Sequence, residues 1–156
     1  MTFGQDHIHQ IDAPASMVWE VITDFPRYAE WNPFVIGCRS TLAPGEPIDL
    51  RVKIFAKPQD QREWMTEHVP GRRFAYGMKP LPFGALKSER SHDVEDLGGG
   101  RTRYRSHFEL AGWLLPVVRA LLGARLEKGF ADMSAAIKAR AERLARERDP
   151  KVTTPH

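Results

Sequence analysis

Trp113 to Arg146, WLLPVVRALLGARLEKGFADMSAAIKARAERLAR, is the stretch whose reading decides the fold. Apolar residues fall at Val118, Leu122, Leu126, Phe130, Met133, Ile137, Ala141 and Leu144, in steps of four, four, four, three, four, four and three. That spacing holds one stripe on one face of a helix. Pro116 sits at the start, where a missing N–H costs no hydrogen bond. The pattern predicts a helix from Pro116 onward of about thirty residues, or roughly 45 Å at 1.5 Å per residue. A helix in water takes most of its stability from packing its apolar face, so the stripe needs a cover. Gly123 and Gly129 fall on or beside that stripe. Each costs roughly 0.5–1 kcal/mol relative to alanine in a helix interior. Two readings stand side by side: a neighbouring element packs close against the backbone, or the missing side chains leave room for a ligand.

The cover comes from upstream. His7 to Asp12 reads as a strand with Ile8 alternating against polar neighbours, and Asp12-Ala13-Pro14-Ala15 starts a short helix with Met17, Val18, Val21 and Ile22 on its apolar face. Asp24-Phe25-Pro26 breaks it, a second turn runs through Arg27 to Glu30, and Trp31-Asn32-Pro33 ends that turn. Strands follow. Phe34, Ile36 and Cys38 alternate with their neighbours, and Ile48, Leu50, Val52 and Ile54 alternate with Asp49, Arg51 and Lys53. Arg62 to Val69 is a strand whose facing the pattern leaves open. Phe74, Tyr76 and Met78 share a face of the next, and Leu86–Glu95 pairs with Thr102–Leu110 across Gly98-Gly99-Gly100. The order is strand, two short helices, about six strands joined by short turns, then the long helix. This is an α+β architecture: a curved antiparallel sheet of about seven strands wrapped around the C-terminal helix, with a cavity between them.

Composition narrows the function classes. At 156 residues the chain reads as one domain, residues 1–147, followed by a polar and disordered tail at 148–156. The net charge of +3 collects on the last helix, where arginines alternate with Glu142 and Glu147 as on a solvated face, so no nucleic-acid partner is expected. Cys38 is the only cysteine, which suits a reducing compartment. No signal-peptide pattern and no long apolar run is present, so a cytoplasmic location without membrane insertion is expected. His7 and His9 point the same way on a strand but find no further ligand, and no phosphate-binding loop or nucleophile elbow occurs. Neither a metal nor a cofactor is expected, and the chain is read as a monomer or homodimer.

The run Ile11-Asp12-Ala13-Pro14-Ala15-Ser16-Met17-Val18-Trp19-Glu20, with Tyr28-Ala29-Glu30-Trp31-Asn32-Pro33-Phe34 after it, resembles the START-like (SRPBCC) superfamily of Bet v 1-type helix-grip proteins. It is most similar to the branch of polyketide cyclases/dehydrases and lipid-transport-like proteins. Gly100-Arg101-Thr102-Arg103 followed by Phe108 and Gly112 fits the same branch, and the likeness spans about residues 5–147. It implies a helix-grip fold and a ligand cavity. It leaves the activity open, since one scaffold carries binders, transfer proteins and enzymes.

Strand parity nominates the lining, because alternate side chains face opposite ways. One face of the last strand carries Tyr104, Ser106, Phe108 and Leu110; one face of the strand before it carries Leu86, Ser88, Arg90, His92 and Val94. An inward arginine is costly unless a partner, an anionic ligand group or water meets it. His92 titrates near neutrality when unperturbed. Arg90, His92 and Tyr104 are therefore the candidates for catalysis. Trp31, Trp64, Phe74, Tyr76, Met78, Ser106, Phe108, Leu122, Leu126, Phe130 and Met133 join them as candidate ligand contacts, although aromatic sets on sheets are also plain core. The expected partner is a small or medium hydrophobic molecule: a lipid, a sterol-like compound or an aromatic polyketide. Two alternatives remain, a cyclase, aromatase or dehydratase using acid–base residues in the cavity, and a protein-interaction or toxin–antitoxin-type module marked by an exposed apolar patch.

Overall fold

A computed structural model describes residues 2–148. The elements are β1 (Thr2–Ile11), α1 (Ala15–Thr23), a 3₁₀ turn at Phe25–Arg27, α2 (Tyr28–Trp31), β2 (Val35–Ser40), β3 (Pro47–Val52), β4 (Gln59–Val69), β5 (Arg73–Gly77), β6 (Lys87–Gly98), β7 (Arg101–Ala111) and α3 (Leu115–Arg148). The strands form one antiparallel seven-stranded sheet in the order β1-β7-β6-β5-β4-β3-β2. Every neighbour except the β1–β7 pair is consecutive in sequence, as short turns dictate. The concave face grips α3, and the core between them includes Val18, Ile22, Tyr28, Met65, Phe74, Tyr104, Met133 and Ile137.

The two short helices plug one end of the sheet. The Asn32 side chain accepts hydrogen bonds from the backbone N–H groups of Phe34 and Val35, at 3.0 and 2.9 Å. That local turn explains the Trp-Asn-Pro-Phe stretch, because it aims the Phe34 ring inward. The ring meets α3 at Gly129, where an added Cβ would lie 2.3 Å from it. Gly129 therefore sits over packed core, which corrects the ligand-space reading for this position. Gly123 fits neither reading: an added Cβ there meets only Arg119 of its own helix, at 3.4 Å.

Most polar ties of α3 to the rest of the fold lie in its second half; in the first half Arg125 donates to the Ile54 carbonyl at 3.4 Å. Lys138 donates to the Gln10 carbonyl at 2.8 Å, Glu142 accepts from the Asp12 N–H at 2.9 Å, and Arg148 pairs with Glu20 at 2.6 Å. In the first half Val117 and Leu121 are exposed. Arg148, expected in the polar tail, is the last helical residue; the rest of that expected tail lies outside the described residues. β1 corrects a second expectation. Ile8 faces outward and is exposed, while His7 and His9 take the half-buried positions in line with Ile11. No helix among the described residues is long and apolar enough to cross a membrane.

Candidate functional site

Between the first half of α3 and the β2–β7 part of the sheet lies a cavity of about 440 Å³. Val118, Leu122, Leu126 and Phe130 of α3 form one wall, with Val35, Leu50, Val52, Tyr76, Met78, Phe108 and Leu110 across from them. Four polar side chains interrupt this apolar lining on the concave face, Gln61, Glu63, Ser88 and Arg90, and Arg62 stands at the rim.

Arg90 is 2% exposed. The β6 parity that buries Val94 directs it inward. Its Nη1 donates to Ser106 Oγ at 2.5 Å, to the His107 carbonyl at 3.2 Å and to the Ser91 carbonyl at 3.4 Å. Nη2 reaches only the Met133 sulfur, at 3.7 Å, and Nε has no partner. The Phe130 ring lies against the guanidinium, 4.5 Å from centroid to Cζ. Among the described residues no carboxylate forms an ion pair with Arg90. A buried cation held by neutral groups alone is electrostatically incomplete.

Glu63 is the carboxyl of the cavity lining that the sequence reading missed; apolar lining residues such as Val35, Leu50, Val52 and Val118 were not nominated as ligand contacts either. It projects from β4 beside Ser88, whose hydroxyl accepts from the Met78 N–H at 2.9 Å and lies 3.5 Å from Glu63 Oε1. Burial pushes the Glu63 carboxyl from its ordinary 4.5 up to about 7, against the pull of Ser88 and Arg90. The available signal was parity: Gln61, Glu63 and Met65 share a face, and Met65 is core. Trp64 and Met65 are adjacent apolar residues, and taking the larger one as inward reverses the strand. The structure corrects this. Trp64 is on the outer side of the sheet beside Thr66, Met78 and Lys87, and 38% exposed.

The other nominated residues divide by position. Tyr76, Met78, Phe108, Leu122, Leu126, Phe130 and Arg90 line the cavity. Ser106 and Met133 stand behind its wall, each in contact with Arg90. Trp31 is corrected out of the lining: it packs on Tyr28 at 5.1 Å and borders a separate outer groove with Arg140 and Leu144. Phe74 is corrected as well, being packed among Trp19, Phe25 and His92 in solid core. His92 and Tyr104 do share the inward face, and His92 Nδ1 lies 2.6 Å from the Tyr104 hydroxyl. Neither borders the cavity. Burial, aided by the Arg90 charge, holds the His92 imidazole well below its ordinary 6.5, so it is a neutral structural group at pH 7.

These two shifts have opposite consequences for stability. Glu63 is raised in the fold, so its contribution is complete below pH 4.5 and gone once the pH passes about 7. His92 is lowered, so its contribution is complete above pH 6.5 and is lost as the pH falls. Glu63→Gln is therefore expected to raise the unfolding free energy at pH 8 and to leave it nearly unchanged at pH 4. Between those limits it unmasks the acid destabilisation due to His92. Urea melts across pH check this; a Glu63→Gln variant less stable than the parent at pH 8 contradicts the half-buried, destabilising carboxylate.

The profile of the family described as polyketide cyclase / dehydrase and lipid transport matches residues 7–142. The chain belongs to that family. Among solved structures it is similar to the Zhui aromatase/cyclase from a Streptomyces species, with a TM-score of 0.76 and 19% identity over 96% of this chain and 98% of that one. It is also similar to a START superfamily protein from Mycobacterium smegmatis (TM-score 0.67, 21% identity, 90% and 98% covered). Norcoclaurine synthase from Thalictrum flavum has the same TM-score of 0.67 at 14% identity, with 90% and 94% covered. At such identities these structures establish the helix-grip fold and nothing finer. No curated protein matches the chain in sequence.

Proposed function

We propose that this family member binds a small or medium hydrophobic molecule, such as an aromatic polyketide, a sterol-like compound or a lipid, with its polar end turned to Arg90. The observation that carries the reading is the buried Arg90 side chain, at the wall of an apolar cavity and in no ion pair among the described residues. A volume near 440 Å³ lies within the roughly 300–1,000 Å³ usual for ligand pockets. Apolar burial at about 25 cal/mol per Å² supplies most of the affinity, and Arg90 fixes the orientation.

Titration with 2-naphthol, a neutral two-ring probe, tests this. Saturable binding at one site is expected, and filling the cavity with Leu122→Trp is expected to weaken it at least tenfold while the melting temperature holds. Absence of binding, or binding that Leu122→Trp leaves unchanged, overturns the proposal.

Glu63 favours a second reading, an acid–base enzyme of the cyclase or dehydratase type. A carboxyl poised at about 7 within an apolar pocket exchanges protons readily at neutral pH. On this reading Glu63, not His92, moves the proton, and Arg90 stabilises the oxyanion that forms.

A further inference from the structure

Ile54, Met78, Leu86, Val118 and Leu122 line the cavity but are only half-buried, which marks its open side. Three segments carry them: residues 53–58, 78–86 and 112–126. Two contacts tie the loops to the helical segment. The Trp113 indole N–H donates to the Phe83 carbonyl at 3.0 Å. Arg125 donates to the Ile54 carbonyl at 3.4 Å and lies over the Phe55 ring at 5.1 Å. Between those ties Trp113, Val117 and Leu121 follow at four-residue steps and are exposed, Leu121 to 70%. Phe83 is the extreme case. Its φ of +59° lies in the left-handed region, which glycine adopts freely and bulky residues rarely adopt. Yet the position carries a phenyl ring that is 95% exposed, and conformational ease does not account for it.

Charge indicates what fits this rim. The three segments contain Lys53, Lys57, Lys79, Arg119 and Arg125, all exposed, and no aspartate or glutamate. None of the five forms an ion pair among the described residues. A second copy of the chain is disfavoured as the occupant, because pairing the face with itself sets these cations against one another. Protein interfaces are also depleted in lysine. Exposed Trp, Phe and Leu interleaved with Lys and Arg are instead the composition of surfaces that lie on anionic lipid, with the rings at headgroup level.

We propose that this rim docks the open side of the cavity onto a membrane surface containing anionic phospholipid. Phe83, Trp113, Val117 and Leu121 enter the headgroup region, and the five cations meet the anionic headgroups. The contact is peripheral, since no helix among the described residues can cross a bilayer. Each Lys or Arg held near such a surface strengthens attachment about fivefold, and burying one large apolar side chain adds about tenfold or more. The proposal goes beyond the hydrophobic-ligand reading and does not depend on it.

Co-sedimentation with vesicles of phosphatidylcholine, alone or with about one-third phosphatidylserine, tests it. Binding to the anionic vesicles is expected to fall as salt rises and to exceed that to phosphatidylcholine alone at least about tenfold. Phe83→Gly removes the ring and relieves the backbone, so the melting temperature should hold while vesicle binding weakens about tenfold. Lys57→Gln combined with Lys79→Gln is expected to cost about 25-fold on anionic vesicles. Leu97→Ser, at an exposed apolar position near the end of β6, is the control and should change nothing. Phe83 does not line the cavity, so 2-naphthol titration of Phe83→Gly should match the parent, which separates docking from ligand binding. No binding to anionic vesicles, or binding that Phe83→Gly leaves unchanged, overturns the inference. A dimer that Leu121→Ser dissociates, in a chain that binds no vesicle, assigns the face to a second copy and overturns it as well. Equal affinity for soluble poly-glutamate assigns it to an acidic protein, with the same consequence.

Discussion

Phe74→Ala is expected to lower the unfolding free energy by about 3–5 kcal/mol, at the upper end of what a single truncation in a core costs. Phe74 is 1% exposed. Its ring meets His92 at 4.6 Å, Trp19 at 5.9 Å and Phe25 at 6.0 Å, the last two edge-on, and Tyr76 at 6.3 Å. The ring thus joins the α1–α2 plug to the sheet. Removing it forfeits the transfer energy of the aromatic ring and leaves a void that these rigid neighbours cannot close. Against a total stability of about 5–15 kcal/mol for a domain of this kind, the loss consumes a large share. Urea unfolding should show a lower midpoint at an unchanged slope. The folded fraction should bind 2-naphthol as before, because Phe74 does not line the cavity. A loss below about 1 kcal/mol would mean that the core relaxes around the gap.

Gly112→Ala is the second large effect. Gly112 has φ of +132° and follows β7 directly, with Trp113 and Leu114 between it and α3. An added Cβ would lie 2.3 Å from the Ala85 carbonyl oxygen and 2.8 Å from that of Gly84. Both obstacles are backbone atoms that cannot swing aside. They are held by hydrogen bonds from the Trp113 N–H to the Gly84 carbonyl and from the Leu114 N–H to the Ala85 carbonyl, at 3.3 and 2.9 Å. Backbone strain of about 1–2 kcal/mol adds to an overpacking cost of about 1–3 kcal/mol. At about 2–4 °C per kcal/mol, a melting temperature lower by about 4–20 °C is expected. Gly99→Ala is the control: its φ is +66° but nothing lies within 4 Å of the added Cβ, so only the backbone strain applies. Equal effects at the two positions would contradict the clash.

The long helix and the facing of β6 and β7 were legible because their signals are redundant. Eight apolar positions mark the stripe on α3, and in β7 four successive alternate residues, Tyr104, Ser106, Phe108 and Leu110, are all buried. The same regularity put Arg90 and His92 on the inward face. β4 was not legible, for a physical reason. Its register shifts between Met65 and Glu67, where a bulge interrupts the alternation, and the adjacent pair Trp64-Met65 suits either parity. That ambiguity hid Glu63 and misplaced Trp64. In β1 the inward positions carry Gln5, His7 and His9, so the apolar Ile8 pointed to the wrong face. Trp31 and Phe74 show a different limit. Periodicity gives the face on which a residue lies, but whether that face borders packed side chains or open space depends on the tertiary arrangement of α1, α2 and α3.

The uneven anchoring of α3 bears on how such a protein diversifies. Its second half carries the ties to Gln10, Asp12 and Glu20 and the buried residues Met133, Ile137 and Ala141. Its first half supplies Val118, Leu122 and Leu126 to the cavity. Holding the fold and shaping the pocket are thus assigned to successive segments of one rod. Exchanges of size at positions 118, 122 and 126 reshape what the pocket accepts while the anchoring segment keeps its contacts, so ligand preference can drift across descendants of this sequence without eroding the fold that presents it.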